Sequence, residues 1–186
     1  MAPRVYRAGH PAVGAGIEVV ALALRKIRRA RWHREEEHDL SWVPHDDIVA
    51  DPLADLSTTN GGLSVWLVEE DLSNLTRVLA AFASTTDRLT NLDYVLFDPT
   101  LLTSLGVGLD HTEGGTADRE ANQHWHRDLV RLSGRTLVEL ARIIKTDGRE
   151  GRAPAKQLKQ LIVGAIQAGR IDRSLLNTGL GRDIMA

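Results

Sequence analysis

The chain has 186 residues, which suits a single domain of ordinary size. Hydrophobic residues make up 42% of the sequence and charged residues 26%, a balance typical of a folded globular protein rather than a disordered one. Because the chain contains no cysteine, disulfides, thiolate metal sites and cysteine nucleophiles are excluded, and a reducing cytoplasm is the expected compartment. The formal net charge of -2 excludes a strong overall attraction to nucleic acid, although a local basic patch is compatible with it.

Residues 1–40 combine an apolar stretch with a basic run. Apolar residues at helical spacing predict one helix over about residues 14–38. The apolar part is interrupted by Glu18 and is shorter than the roughly 20 residues that a membrane-spanning helix needs. No small-residue cleavage site follows it. We therefore predict a basic N-terminal helical segment, with neither a transmembrane segment nor a cleaved signal.

The basic run RKIRRARWHR, residues 25–34, is the first candidate for a binding surface. It is followed at once by the acidic stretch EEEHD, so part of its charge can be balanced within the helix, as on an ordinary solvated helix face. A protein partner, nucleic acid or an acidic membrane surface could each meet this run. The side chains predicted to make the contact are Arg25, Arg28, Arg29 and Arg31.

Residues 41–186 are predicted to form a single domain of α/β type whose C-terminal half is helical. The runs LSVWLV (63–68) and LDYVLF (92–97) have the length and composition of buried strands, and an amphipathic helix pattern separates them. Such a strand–helix–strand unit predicts two parallel strands joined by a right-handed crossover. The fold class expected for the whole chain is α+β or small α/β, with a basic N-terminal helix, a central βαβ unit and C-terminal helical packing.

The C-terminal half contains three predicted helices. The first spans about residues 116–132, and the second covers RTLVELARIIK. The charged stretch DGREGRAP is predicted to be a turn, and the third helix begins at Pro154 and ends at Gly169. The remaining residues are predicted to form one short turn and a frayed tail.

The stretch ANQHWHRDLV, residues 121–130, concentrates side chains that can carry chemistry. On a helix, Glu120, His124 and Asp128 lie four residues apart and share one face, where they could hold a metal ion or raise the basicity of the histidine. Trp125 and Arg127 could instead contact a partner. The alternative is an ordinary solvated helix, because acid and base pairs four residues apart are common on exposed faces.

Acidic residues also follow the two predicted strands. Glu70 comes after the first and Asp98 after the second, at the sheet edge where α/β proteins place ligands and where carboxylates can bind Mg²⁺. His45 and Asp47 in the preceding loop could join them as metal ligands. Each acid has a simpler alternative role, since aspartate is a favoured helix cap and turn residue.

No complete phosphate-binding loop, dinucleotide fingerprint or nucleophile elbow occurs in the chain. We therefore predict a non-catalytic intracellular protein, bacterial by its preference for arginine over lysine, that acts as an interaction or accessory protein. Its surfaces would be the arginine run and the C-terminal amphipathic helix, its partner another protein or a second copy of itself, and it would need no cofactor. Two alternatives stay open. One is a hydrolase or phosphotransfer protein that uses a divalent metal ion, with Glu70, Asp98 and His124 as candidate catalytic residues. The other is a nucleic-acid-binding regulator.

Overall fold

The computed structural model describes residues 21–34, 38–44 and 47–185. Within these residues one sheet is formed by β1 (Ala21–Ile27), β2 (Leu63–Glu69), β3 (Leu92–Phe97), β4 (Gly108–His111), β5 (His126–Val130) and β6 (Arg149–Ala153). The strand order is β4-β5-β2-β1-β3-β6, and every neighbouring pair is antiparallel. The mixture of helices with an antiparallel sheet confirms the α+β fold class.

Helices cover both faces of the sheet. They are α1 (Arg29–Trp32), α2 (Leu75–Ala83), α3 (Arg119–Trp125), α4 (Gly134–Asp147), α5 (Ala155–Gln167) and α6 (Thr178–Met185), together with 3-10 helices at Asp51–Leu56, Pro99–Leu105 and Arg173–Leu175. One core joins the sheet to α2, α3, α5 and α6, and the other joins it to α1, α4 and the first two 3-10 helices. Alternate residues of each strand pack into the two cores, because successive side chains of a strand point to opposite faces of the sheet.

The N-terminal helix prediction is wrong for residues 21–27, which form the central strand β1. Leu24 pairs with Trp66 of β2 on one side and with Leu96 of β3 on the other. The run ALAL is compatible with a helix as well as a strand. It forms a strand because it hydrogen-bonds to the two neighbouring strands, β2 and β3. The basic helix is reduced to α1, and residues 14–20 and 35–37 of the predicted helix lie outside the described residues. The division of the chain at residue 40 stays a prediction.

The predicted strand–helix–strand unit is present with one difference. Strands β2 and β3 both pair antiparallel with β1, so they run in the same direction, as expected of a crossover connection. They are not neighbours, however, because β1 lies between them. The crossover through α2 therefore spans the central strand instead of joining two adjacent strands.

Three predictions in the C-terminal half are also wrong. The helix predicted over 116–132 ends at Trp125, because His126–Val130 pairs with both β2 and β4 as strand β5. The predicted charged turn is strand β6, which pairs with β3 at the edge of the sheet. Charged residues are usual on edge strands, where they discourage pairing with other chains. Helix α6 forms where a short turn and a frayed tail were predicted.

Helix α5 matches its prediction, but its apolar face is not free. Leu158 and Ile162 are buried in the core together with residues of the sheet and of α2. Burying side chains of this size stabilises a fold by about 1.5–3 kcal/mol each. The apolar face of the C-terminal amphipathic helix is thus used for folding, which corrects its assignment as a partner-binding surface.

Gly148 ends α4 at a point where the chain has no room for a side chain. A Cβ atom there would lie 2.2 Å from the backbone oxygen of Ile144 and 2.6 Å from Cγ2 of Val95. We expect Gly148→Ala to lower the free energy of unfolding by about 1–3 kcal/mol, as overpacking of a core does, measured by urea denaturation. The control is Gly164→Ala inside α5, where nothing lies within 4 Å and where alanine should stabilise by about 0.5–1 kcal/mol. Equal effects of the two variants would contradict this account.

Candidate functional site

A cavity of about 250 Å³ opens where β1 passes into α1. We call it the basic cavity, because its charged lining residues are Arg25, Lys26, Arg28, Arg31 and Asp55. Four of these residues are cationic and one is acidic, so the lining carries a formal surplus of three positive charges. Three of the four arginines that the sequence predicted to contact a partner therefore meet at one place. Ser57 and Phe82 complete the polar and aromatic parts of the wall.

Asp55 holds several residues of the basic cavity in place through hydrogen bonds. Its Oδ2 accepts hydrogen bonds from the backbone N–H of Arg28 at 2.7 Å and from Nε1 of Trp32 at 3.0 Å, while its Oδ1 accepts one from Nη1 of Arg31 at 2.6 Å. The Asp55 side chain is only 7% exposed. A buried carboxylate with three donors holds those donors in place, since hydrogen bonds to a charged group are among the stronger ones in proteins.

Arg25 supports the cavity wall and is largely engaged inside the protein. Its Nε and Nη2 donate to the backbone oxygen of Asp55 at 3.1 and 2.8 Å, and its Nη1 donates to the backbone oxygen of Ser64 at 2.8 Å. Burial lowers the pKa of Arg25, while Asp55 and Asp128 act in the opposite direction. Three internal hydrogen bonds leave this guanidinium little capacity to bind a partner directly.

Lys26 and Arg28 are the exposed cations of the basic cavity. The Lys26 ammonium lies 5.9 Å from the centre of the Phe82 ring, within the range of a cation–π contact. The Arg28 guanidinium makes no hydrogen bond or ion pair with any described residue, although its backbone N–H is held by Asp55. Its charge is therefore accessible from outside while its backbone is fixed from inside.

Arg29, the fourth predicted contact residue, faces elsewhere. It lines a smaller cavity of about 140 Å³ together with Asp93, Glu150 and Arg152 beside the edge strand β6. Both signs of charge are present there. The structure thus separates Arg29 from the other three arginines of the run.

The predicted stripe of Glu120, His124 and Asp128 does not form. Helix α3 ends at Trp125, and Asp128 belongs to strand β5, where it accepts a hydrogen bond from Oγ of Ser64 at 2.9 Å. Only helical spacing would have placed Asp128 beside His124, so the geometry behind a metal or acid–base site at these residues is missing. The ring of His124 meets that of Trp125 edge-on at 6.4 Å.

Glu120 and Trp125 belong to a cluster around Arg77 of α2. The Arg77 guanidinium lies 5.0 Å from the Trp125 ring and bonds to Asp118 and Glu120. The hydrogen bonds that Arg77 donates to Asp118 and Glu120 raise the pKa of Arg77, and the bond that Glu120 accepts from Arg77 lowers the pKa of Glu120. The cluster joins α2 to α3, and the partly buried Trp125 packs against the core.

Arg127 and its neighbour His126 also bond within the fold. Arg127 donates from Nη1 to the backbone oxygen of His126 at 2.7 Å, and burial lowers the pKa of Arg127. His126 is 8% exposed, with its Nδ1 2.9 Å from Oγ1 of Thr112 and its ring edge-on to Trp66 at 5.1 Å. These contacts fix β5 against its surroundings.

The acidic residues at the strand ends are also accounted for locally. Asp98 caps the following 3-10 helix, since its Oδ1 accepts from the backbone N–H and Oγ1 of Thr100. Asp47 lies 3.9 Å from Arg142 in an exposed ion pair. Glu70 is exposed, and His45 lies outside the described residues. No group of three or more histidine or acidic side chains in the described part of the chain is placed to hold a metal ion.

Sequence reasoning missed Asp55 and Phe82. Asp55 lies 24 residues from Arg31 along the chain, in a stretch whose aspartates look like ordinary turn residues. The signal that could have pointed to it is weak: an acid beside an apolar helical turn, with a basic run elsewhere that needs a counter-charge.

Two further findings concern the chain as a whole. Among the described helices, none combines the length and the apolar character that crossing a bilayer requires. No protein-family model matches this chain, and neither a curated protein nor a solved structure matches it.

Proposed function

We propose that this protein is a non-catalytic binding protein that contacts an acidic segment of a partner protein through the basic cavity. The observation that carries the proposal is the formal surplus of three positive charges among the residues lining one cavity, where Asp55 holds the Arg28 backbone and the Arg31 guanidinium in place. The earlier expectation of an interaction or accessory protein of the bacterial cytoplasm is kept. The surface includes three arginines of the predicted run, but it lies at the junction of β1 and α1 and not on a helix face.

The fixed backbone of the site favours binding. Part of the free energy of association is normally lost in ordering side chains and loops at the interface. Here the Arg28 backbone and the Arg31 guanidinium are already ordered by Asp55 in the free protein. Less ordering is then needed when a carboxylate arrives, and arginine is among the residues that contribute most to interfaces.

The charge distribution favours a short acidic segment over nucleic acid. The whole chain carries a net charge of -2, so the positive surplus at the cavity is outweighed by negative charge elsewhere on the protein. A long polyanion would meet both regions, whereas a short segment of a protein can reach the cavity alone. Nucleic acid and acidic membranes are the competing outcomes of the test.

A charge reversal at the rim tests the proposal. The probe is a short fluorescent peptide rich in aspartate and glutamate, and its binding is measured by fluorescence anisotropy at low and at physiological salt. We expect the double variant Lys26→Glu, Arg28→Glu to raise the Kd about tenfold or more, because opposite charges become like charges. Binding by the native protein should weaken as salt is added. Arg29 is left unchanged because it lines the other cavity.

The matched control is Lys156→Glu, Lys159→Glu, which makes the same change of charge on α5. These lysines lie in α5, and neither of them lines the basic cavity. If both double variants lose binding equally, overall charge and not the cavity controls the contact, and the proposal fails. It also fails if the native protein ignores the peptide but binds single-stranded RNA, duplex DNA or phosphatidylserine vesicles.

A further inference from the structure

We infer that the group taken up by the basic cavity is a phosphate monoester, carried by a phosphorylated side chain of the partner. This inference rests on the proposed function, because it names the chemistry of the acidic group that the same site recognises. Three features of the cavity support it: its charge surplus, the kind and arrangement of its donors, and its volume.

Charge balance separates a phosphate from a carboxylate. A carboxylate would neutralise one of the three surplus positive charges around the cavity. A phosphate monoester carries about two negative charges above its second pKa of about 6, and would neutralise most of the surplus. A ligand that matches the charge of a partly enclosed site binds better there, because unbalanced charge is costly where water is partly excluded.

The donors also match a phosphate. Arginine presents its N–H groups in a planar fork that binds two oxygens at once, which suits phosphate. Arg31 donates from Nη1 to Asp55, which anchors that guanidinium at the cavity, and the exposed Arg28 lines the same cavity. Lys26 adds a single positive charge, and the exposed Ser57 stands at the same wall. These residues lie in β1, at the junction of β1 and α1, in α1 and in the segment after the first 3-10 helix, so several parts of the chain form the cavity wall.

The volume of the basic cavity is large enough for a phosphate group. One water molecule occupies about 30 Å³ in the liquid. A phosphate that enters a cavity of about 250 Å³ therefore displaces several water molecules. The phosphate can therefore sit among the donors with part of its hydration replaced by them. The chain that carries it stays outside, as a modified side chain on a peptide would allow.

The experiment compares two short Gly-Ser peptides that differ at one central position, phosphoserine in one and glutamate in the other. Both carry the same fluorophore, and their Kd values are measured by anisotropy at pH 8 and constant ionic strength. We expect the phosphoserine peptide to bind the native protein about tenfold more tightly or better. Arg28→Lys, which keeps the charge and removes the fork, should abolish most of this preference. The matched control is Arg29→Lys, the same change at the other cavity, and it should retain the preference.

The outcomes separate this inference from the proposed function. If both peptides bind the native protein equally, the phosphate inference is overturned and the acidic-segment proposal stands. If neither peptide binds, the phosphate inference is overturned, and the peptide rich in aspartate and glutamate decides the acidic-segment proposal separately. Competition by O-phospho-L-serine and by inorganic phosphate identifies the source of the group. Displacement only at concentrations far above that of the peptide supports a phosphorylated side chain. Displacement at concentrations similar to that of the peptide contradicts the phosphorylated partner and assigns a small free phosphate compound instead.

Discussion

Asp55→Ala should lower the free energy of unfolding by about 3–5 kcal/mol, the usual cost of removing one partner from a buried ion pair. The Asp55 carboxylate accepts from the Arg28 backbone, the Arg31 guanidinium and the Trp32 indole. Trp32 is 3% exposed, so its N–H would lose its acceptor with little access to water. A buried donor without a partner is costly in itself. The measurement is urea denaturation followed by circular dichroism.

The control for Asp55 lies in the same 3-10 helix. Asp51 pairs with Arg34, and both side chains are substantially exposed. An exposed ion pair contributes about 1 kcal/mol or less, so Asp51→Ala should have a small effect. Comparable losses for the two variants would show that Asp55 has no special role in organising the cavity. Asp55→Asn adds a further comparison, since it keeps an acceptor oxygen, removes the negative charge, and should fall between alanine and the native residue.

Asp118→Ala should destabilise the protein by a similar amount, about 3–5 kcal/mol. Asp118 is 1% exposed, caps α3 by accepting from the backbone N–H of Ala121 at 2.9 Å, and pairs with Arg77 at 3.1 and 3.2 Å. Loss of a helix cap alone costs about 1 kcal/mol. Here the same substitution also removes the buried counter-charge of Arg77, so the two losses combine.

Glu120 provides the matched control for Asp118, because it bonds to the same arginine. The Glu120 side chain is 59% exposed, and water can replace it as a partner of Arg77. Glu120→Ala should therefore change the free energy of unfolding by about 1 kcal/mol or less. If Glu120→Ala were the more damaging of the two, the buried half of the cluster would not be what joins α2 to α3.

Strands and helices with a local signal could be predicted from the sequence. Strands β2 and β3 are short apolar runs between polar ends, and α4 and α5 have apolar residues at helical spacing, so each is recognisable without knowledge of its neighbours. Strand β1 is not recognisable in this way, because its alternating leucines and alanines fit both the helical and the strand period. Strand β6 consists mainly of charged residues and is a strand only because β3 offers it a pairing edge.

The candidate site, too, could be predicted from the sequence only in part. The basic run is contiguous in the sequence, so a positively charged surface could be expected wherever residues 25–34 lie. Which of its side chains point to one cavity depends on Asp55, which lies 27 residues from Arg28 along the chain and contacts it only after folding. The separation of Arg29 from Arg28 and Arg31 has the same origin, since it follows from where α1 lies beside the sheet.

The central position of β1 links the binding site to strand register. Arg25 and Lys26 are consecutive residues of a strand, so their side chains leave on opposite faces, and the pairing of Arg25 with Val95 and of Lys26 with Tyr94 determines which goes where. A slip of one residue would reverse every side chain of β1. It would turn Arg25 away from the Asp55 carbonyl and direct the neighbouring lysine into the core. The pairing that assembles the sheet therefore also determines the face of the sheet on which each positive charge of β1 lies.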